Sequence, residues 1–278
     1  SGGGSQLQHG IFAQADFTAG PAKIFAGGRH QFTGRDQTFF SPSTGIVVGR
    51  GRFRGRGTVY RSFRAPTLNE LYREFRVGNA VTRANENLQP ETLFGAEGGL
   101  DVVGENARMS VTLYRHSLED LITNVTLSTD PNLIVRQRRN ASAALARGVD
   151  IDAHMTWWKL YGEVAYLFAD SRFSTGERIP QVPRHQGSAQ ITYRTDSTMA
   201  SMNVRSYGGQ FEDDRNRFLL PGFASVQTML QQRLRRNLWA TIAVENMLDR
   251  EYIVGFSPTP LIGQPRLWRV GLRWESSL

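Results

Sequence analysis

Three clusters of side chains carry the binding chemistry this chain offers. Arg73, Glu74, Phe75 and Arg76 form the first, and Arg136, Arg138 and Arg139 the second. Tyr207, Phe211, Asp213, Asp214 and Arg215 form the third. A guanidinium is a rigid fork of donors that fits carboxylate or phosphate, and its flat face stacks on aromatic rings. Arginines interleaved with aromatics therefore suit an anionic ligand with aromatic surface. The candidate binding residues on this ground are Arg73, Arg76, Arg136, Arg138, Tyr207, Phe211 and Arg215. The plainer reading of the same residues is a solvated, charged rim.

Other chemistries find little support. His9, His30, His116, His154 and His185 are dispersed and show no metal-ligand spacing. There is no cysteine, which removes disulfides, thiol chemistry and cysteine-based zinc sites. No nucleophile elbow, phosphate loop or zinc motif occurs, so neither an enzyme nor a bound cofactor is expected. Asp150 and Asp152 share one strand face. They could hold a cation, but balancing nearby arginines is the simpler role. The net charge is +8, and Lys23 and Lys159 are the only lysines among 33 basic residues. These cations are spread along the chain without a nucleic-acid-binding motif, so nucleic acid is not an expected partner.

The elements that must position these clusters are strands. In a strand, successive side chains point to opposite faces. Trp268, Val270, Leu272 and Trp274 alternate with Arg269, Gly271 and Arg273, and Val149, Ile151, Ala153, Met155 and Trp157 alternate with Asp150, Asp152, His154 and Thr156. Similar two-faced segments recur along the chain, at Ile11–Thr18, Ala22–Arg29, Arg108–Tyr114 and Met199–Tyr207 among others. No run of 18 apolar residues exists, and mean hydropathy is −0.38. A transmembrane barrel hides its apolar residues by alternation, so it can be polar on average and still cross a bilayer. Trp157, Tyr166, Phe168, Tyr193 and Trp274 near strand ends fit interfacial girdles. A soluble β-sandwich also alternates, but gives no reason for those girdles.

Connection length alternates as well. Ala19–Pro21, Gly104–Asn106, Trp158–Lys159, Thr195–Ser197 and Arg235–Asn237 are short links. Ala65–Thr92, Ser171–Gln186, Gly208–Gly222 and Glu251–Pro265 are long. Outer-membrane barrels have this rhythm, with short periplasmic turns and long extracellular loops. The expected fold is all-β: a transmembrane antiparallel β-barrel of roughly 12–14 strands, thirteen by direct count. Bacterial barrels use even numbers, and an odd count with the last strand ending in the periplasm starts the first strand outside. A C-terminal portion of a larger barrel is therefore expected, spanning residues 1–278 with a flexible start at 1–8 around SGGGS.

Five stretches together resemble a known family. They are RSFRAPTLNELY (Arg61–Tyr72), NENLQPET (Asn85–Thr92), RIPQVPRHQ (Arg178–Gln186), VENMLDREY (Val244–Tyr252) and PTPLIGQPRLWRVGLRW (Pro258–Trp274). In this order and spacing they are similar to the C-terminal half of a TonB-dependent outer-membrane receptor. Physically they set strand ends. Pro66 lacks an N–H and should stop a strand. Thr67 should cap a helical turn with Glu70 three residues on. Pro90 pre-sets φ before the chain re-enters the wall. Asn246 should bond neighbouring backbone, and Asp249 and Arg250 should pair locally.

The resemblance implies an outer-membrane active-transport receptor, most simply for a ferric siderophore. It also implies a barrel of about 22 strands, and contact with the TonB complex through an N-terminal plug that is not recognisable here. Outer-membrane lipid and lipopolysaccharide would be the other partners. A passive porin-like or adhesin barrel, a receptor for cobalamin, haem or oligosaccharide, and a secreted carbohydrate-binding β-protein are the alternatives. Extending the register of Ile134–Arg139 down to Val149 and Ile151 puts odd positions on the lipid. Arg136 and Arg138 would then face the lumen and Arg139 would project outward.

Overall fold

The computed structural model describes residues 5–33, 37–140, 143–256 and 259–275. Most of Ser1–Ser5 and the last three residues of the chain lie outside that set; Gln6 to Gln8 carry no regular structure. The first elements are β1 (His9–Ala19), β2 (Ala22–Thr33), β3 (Gln37–Arg50), β4 (Phe53–Arg64) and a short helix α1 (Leu68–Tyr72). There follow β5 (Phe75–Val77), β6 (Ala80–Arg83), β7 (Glu91–Val103), β8 (Ala107–Glu119), β9 (Ile122–Asp130) and β10 (Leu133–Asn140). Next come β11 (Ala144–Trp157), β12 (Leu160–Phe173), β13 (His185–Arg194), β14 (Thr198–Tyr207), β15 (Gln210–Phe211) and β16 (Leu219–Leu220). The last are β17 (Phe223–Arg235), β18 (Leu238–Glu245), β19 (Ile253–Gly255), β20 (Leu261–Ile262) and β21 (Leu267–Trp274).

The long strands form one 13-stranded antiparallel sheet in chain order, β1-β2-β3-β4-β7-β8-β11-β12-β13-β14-β17-β18-β21. The thirteen alternating segments read from the sequence are these strands. The shorter strands belong to three smaller sheets in the long links.

The registers sort the side chains into two faces. On one face Leu100 pairs with Val111, Val111 with Ile151, and Ile151 with Tyr166. The same face carries Ile191 opposite Met202, Leu230 opposite Ile242, and Ile242 opposite Val270. These apolar side chains have no protein layer over them: Leu100 is 67% exposed and Val270 is 79% exposed. A contiguous apolar surface of this extent belongs against lipid, so this is the outward face.

The opposite face is polar. Arg56 lies 3.5 Å from Asp101 and donates to Ser110 at 2.9 Å and to Thr112. Asp150 pairs with Thr112 and Asp152 with Ser110 in the next strand, so both carboxylates join this arginine-balanced inward network. Tyr60, Glu97 and His116 form a second inward cluster, with the Tyr60 hydroxyl donating to Glu97 at 2.9 Å.

Outward aromatics mark the rims. Phe17, Phe53, Trp157, Trp158 and Trp274 sit beside the short turns and are largely exposed. Gly20 and Gly51 supply the positive φ those turns need, at +58° and +61°. Trp158 adopts φ +54° without that freedom, and Lys159 lies 4.7 Å over its ring. At the other rim the outward face carries Phe94, Tyr166, Phe168 and Trp268. Leu160 to Phe168 covers about 27 Å of strand, or about 20 Å along the membrane normal at the usual tilt, close to a barrel's apolar band.

The VENMLDREY stretch differs from expectation in one respect. Asn246 does bond backbone, donating to the carbonyls of Arg250 at 2.8 Å and Gln264 at 3.0 Å. Asp249, however, does not pair with Arg250. Left-handed turns at Asn246 and Asp249 carry its carboxylate to Arg266, at 3.0 Å, at the foot of β21.

Replacing Ile151 or Val270 by Arg should cost about 2–4 kcal/mol where the site lies near the bilayer midplane. Asp152→Asn, on the inward face, should cost far less. Unfolding titrations in detergent measure both, and the opposite ranking would reverse the assignment of faces.

Candidate functional site

The candidate residues gather on the long-loop side of the wall. The first loop starts where Pro66 stops β4. Thr67 accepts the Glu70 amide through its hydroxyl at 3.3 Å, while the Glu70 carboxylate accepts the Thr67 amide at 2.7 Å. This reciprocal cap sets α1, as the Thr-x-x-Glu spacing predicts. Arg64 then clips the loop's two ends, 2.9 Å from Glu70 and 2.6 Å from Glu91. Burial pushes the Glu70 pKa up, but Arg64 and the Thr67 donors outweigh it and hold the group below its usual value. Glu91 also accepts the amide of Ile122 at 2.7 Å, which ties in the start of β9. Leu71 and Leu88 fill the small core beneath and are 1% exposed.

Two loops fuse into one sheet of order β5-β6-β10-β9. Its central pairing, β6 with β10, is parallel, with Ile134 opposite Ala80 and Arg136 opposite Thr82. Asn85 donates to the carbonyl of Arg138 at 2.9 Å, and Asn140 exchanges bonds with the backbone of Gln89 at 2.8 Å each way. The NENLQPET stretch is thus the seam between the loops.

Arg136 and Arg138 do not take the lumenal register expected from the sequence. They do not lie on a continuation of β11. They lie on β10, which pairs with β9 and β6, and a bulge between Val135 and Arg136 shifts the register. The wall strand begins separately at Ala144, so the parity of Val149 and Ile151 does not transfer.

Arg73, Arg76, Arg136 and Arg138 all belong to this loop unit. Arg138 is half-buried, donates to the carbonyls of Asn69 and, at 3.1 Å, of Arg73, and lies 5.1 Å over the Phe75 ring. It is a strut. Arg76 donates to the carbonyl of Gly78 at 3.0 Å and is exposed. Arg73 is exposed, and Arg136 is half-buried in the row of Thr82 and Thr126.

The loop between β14 and β17 reaches the same unit. Arg215 donates to the carbonyl of Thr126 at 3.2 Å, and the Thr126 hydroxyl donates to Asp214 at 3.3 Å. Asp213 organises this loop. Its carboxylate accepts the amides of Arg217 at 2.8 Å and Phe218 at 3.0 Å and the Arg217 guanidinium at 2.9 Å. Burial raises its pKa, but the Phe218 amide and the two Arg217 donors together hold it below the ordinary carboxylate value. Phe211 is covered by Arg178 at 5.7 Å, and Asn216 exchanges bonds with the Arg178 backbone. Tyr207 stands apart at the top of the wall, 5.2 Å from Phe223, which stacks on Tyr252 at 4.1 Å.

Sequence reasoning missed Thr126, Asn140, Arg178 and Asn216 as the joints between loops. Only Arg178 carried a signal, as the first residue of the RIPQVPRHQ stretch.

A two-faced antiparallel wall with short turns on one rim and interlocked loops on the other defines a transmembrane barrel of receptor type. Residues 1–247 match the family described as TonB dependent receptor-like, beta-barrel, and the chain belongs to that family. No curated protein matches it in sequence. Among solved structures it is similar to a variant of the ferric enterobactin receptor PfeA from Pseudomonas aeruginosa, in complex with enterobactin, at 17% identity and a TM-score of 0.77. It is also similar to the siderophore receptor PirA from Acinetobacter baumannii, at 14% identity and 0.78, and to the copper transporter OprC, at 16% and 0.78. The match covers 97% of this chain and 45%, 46% and 48% of those chains. The chain thus spans about half the length of the structures it resembles.

The depressed Asp213 pKa gives a pH dependence with a definite sign. Its contribution to loop stability is complete above the ordinary carboxylate pKa of about 4 and is lost as pH falls through the lower folded value. Asp213→Ala should loosen residues 208–222 by about 1–3 kcal/mol at neutral pH. Hydrogen exchange of those amides, corrected for intrinsic rate, should show the same loosening in the parent protein only in strong acid. Equal protection in parent and variant at pH 7 would remove Asp213 from this role.

Proposed function

We propose that this chain is barrel wall and loop surface of an outer-membrane, TonB-dependent receptor that imports a ferric siderophore. The observation that carries the reading is the shared loop sheet. Parallel pairing of β6 with β10 puts Arg73, Arg76 and Arg136 on one unit with aromatic Phe75, and Arg215 joins through Thr126. Ferric complexes of catecholate or carboxylate chelators are anionic, and catecholates are aromatic, so guanidinium forks and ring faces meet both features. Family membership supports the transport class. The named cargoes of PfeA and PirA support the cargo class.

Within the set, the roles divide. Arg136 shares a sheet face with Phe75 and Thr82 and is the cation placed beside the ring, whereas Arg76, across from Val81, projects from the opposite face and acts on an anion through its charge. Arg138 holds the unit together and acts through its shape.

In the whole receptor, changing Arg76 and Arg136 together to Gln should weaken binding of an anionic ferric siderophore about tenfold at low salt, which is about 1.4 kcal/mol. The loss should shrink in 0.5 M salt, because screening shortens the reach of exposed charge. A charge-neutral ferric hydroxamate should be little affected. Unchanged affinity for the anionic complex at low ionic strength would leave these arginines as ordinary rim charge.

A further inference from the structure

The strand registers place a second arginine cluster on the other side of the wall. Leu113, Val149 and Phe168 are opposite one another across β8, β11 and β12, on the outward apolar face. Two residues further toward the long-loop rim, on the same face, the row reads Arg115, Arg147, Asp170. Arg172 follows on β12, and Arg184 enters from the loop just before β13.

Asp170 sits at the centre. Its carboxylate lies 3.4 Å from Arg147, 3.2 Å from Arg172 and 2.8 Å from Arg184. Arg115 stands directly across the ladder from Arg147, and like charges in that position repel. One carboxylate against four guanidiniums leaves the patch strongly cationic. The Asp170 side chain is 12% exposed, whereas that of Arg147 is 64% exposed and reaches outward. The Nε–H of Arg184 is buried without a hydrogen-bond partner. The patch therefore has excess positive charge, with exposed guanidiniums at Arg115 and Arg147, at the upper edge of a lipid-facing surface.

A soluble anion would use the arginines and leave the apolar row beneath them uncovered. The inward face of the same strands carries Tyr114, Gly148 and Ala169, so the cluster is separated from the lumen by the wall itself. An amphiphile with phosphate above and acyl chains below matches both rows at once. We infer that Arg115, Arg147, Arg172 and Arg184 bind the phosphate of a phosphorylated glycolipid of the outer leaflet, its acyl chains lying on Leu113, Val149 and Phe168. Asp170 is the positioning residue that holds three of the guanidiniums in a convergent fan. This inference rests on the outer-membrane placement proposed above.

The test uses the whole receptor, expressed into membranes, fractionated and purified in detergent. Recovery outside the outer-membrane fraction would sink the placement and is read separately from the site. From the outer-membrane fraction, native mass spectrometry with added diphosphoryl lipid A should show a bound lipid that survives detergent exchange. Enzymatically dephosphorylated lipid A should bind at least tenfold more weakly. Arg115→Gln with Arg147→Gln, which leaves the buried contacts of Asp170 to Arg172 and Arg184 in place, should lower retention of the phosphorylated lipid by a similar factor. A circular dichroism melt confirms that this variant is folded. Equal binding of both lipids, or full retention by the double variant, overturns the site. Binding of inorganic phosphate with the same affinity as the lipid would make it a free-anion site and overturn the lipid assignment.

Discussion

Within hydrocarbon there is no water to satisfy a backbone N–H or C=O, so each must pair inside the protein. The continuous antiparallel ladder is the answer to that constraint, and the other features depend on it. Among the described residues the wall's pairings run without a shift except at Arg233 and Arg235, beside a short turn at the membrane edge. An unbroken register means that parity alone decides whether a side chain meets lipid or the interior. Every placement on the wall follows from that binary choice plus height along the strand.

The arginines show how much position decides, on the wall and in the loops alike. The same residue type serves in the inward network at Arg56, as a loop clip at Arg64, as a strut at Arg138 and in an outward cluster at Arg147. Composition sees one cationic chain. Arg56 offsets carboxylates in the interior. Arg64 exchanges charge-assisted bonds to two carboxylates for the freedom of a loop of more than twenty residues, whose closure entropy grows only slowly with length.

The wall was legible in the sequence because its cause is local. A side chain on Ile151 or Asp152 records directly which medium it touches, and the period of two needs no knowledge of the partner strand. The cap at Thr67 and Glu70 was legible for the same reason, being contained in four residues. The loops were not. Arg136 and Arg138 sit in a segment that reads like the start of a wall strand, and only pairing to Ala80–Arg83, more than fifty positions away, makes it something else. Asp249 shows the same limit at smaller scale: its neighbour Arg250 was the obvious mate, and two left-handed residues turned it to Arg266 instead.

The parallel seam between β6 and β10 has an evolutionary side. Ala80–Arg83 and Leu133–Asn140 come from different loops and each pairs within its own, yet the four-stranded sheet exists only where the two meet. Recombination that exchanged one of these loops with a relative would import half an interface and break the bonds that Asn85 and Asn140 make across it. Variation in this part of the surface should therefore be inherited in linked blocks. An engineer wishing to graft a new specificity onto the scaffold would have to transplant both segments as one cassette.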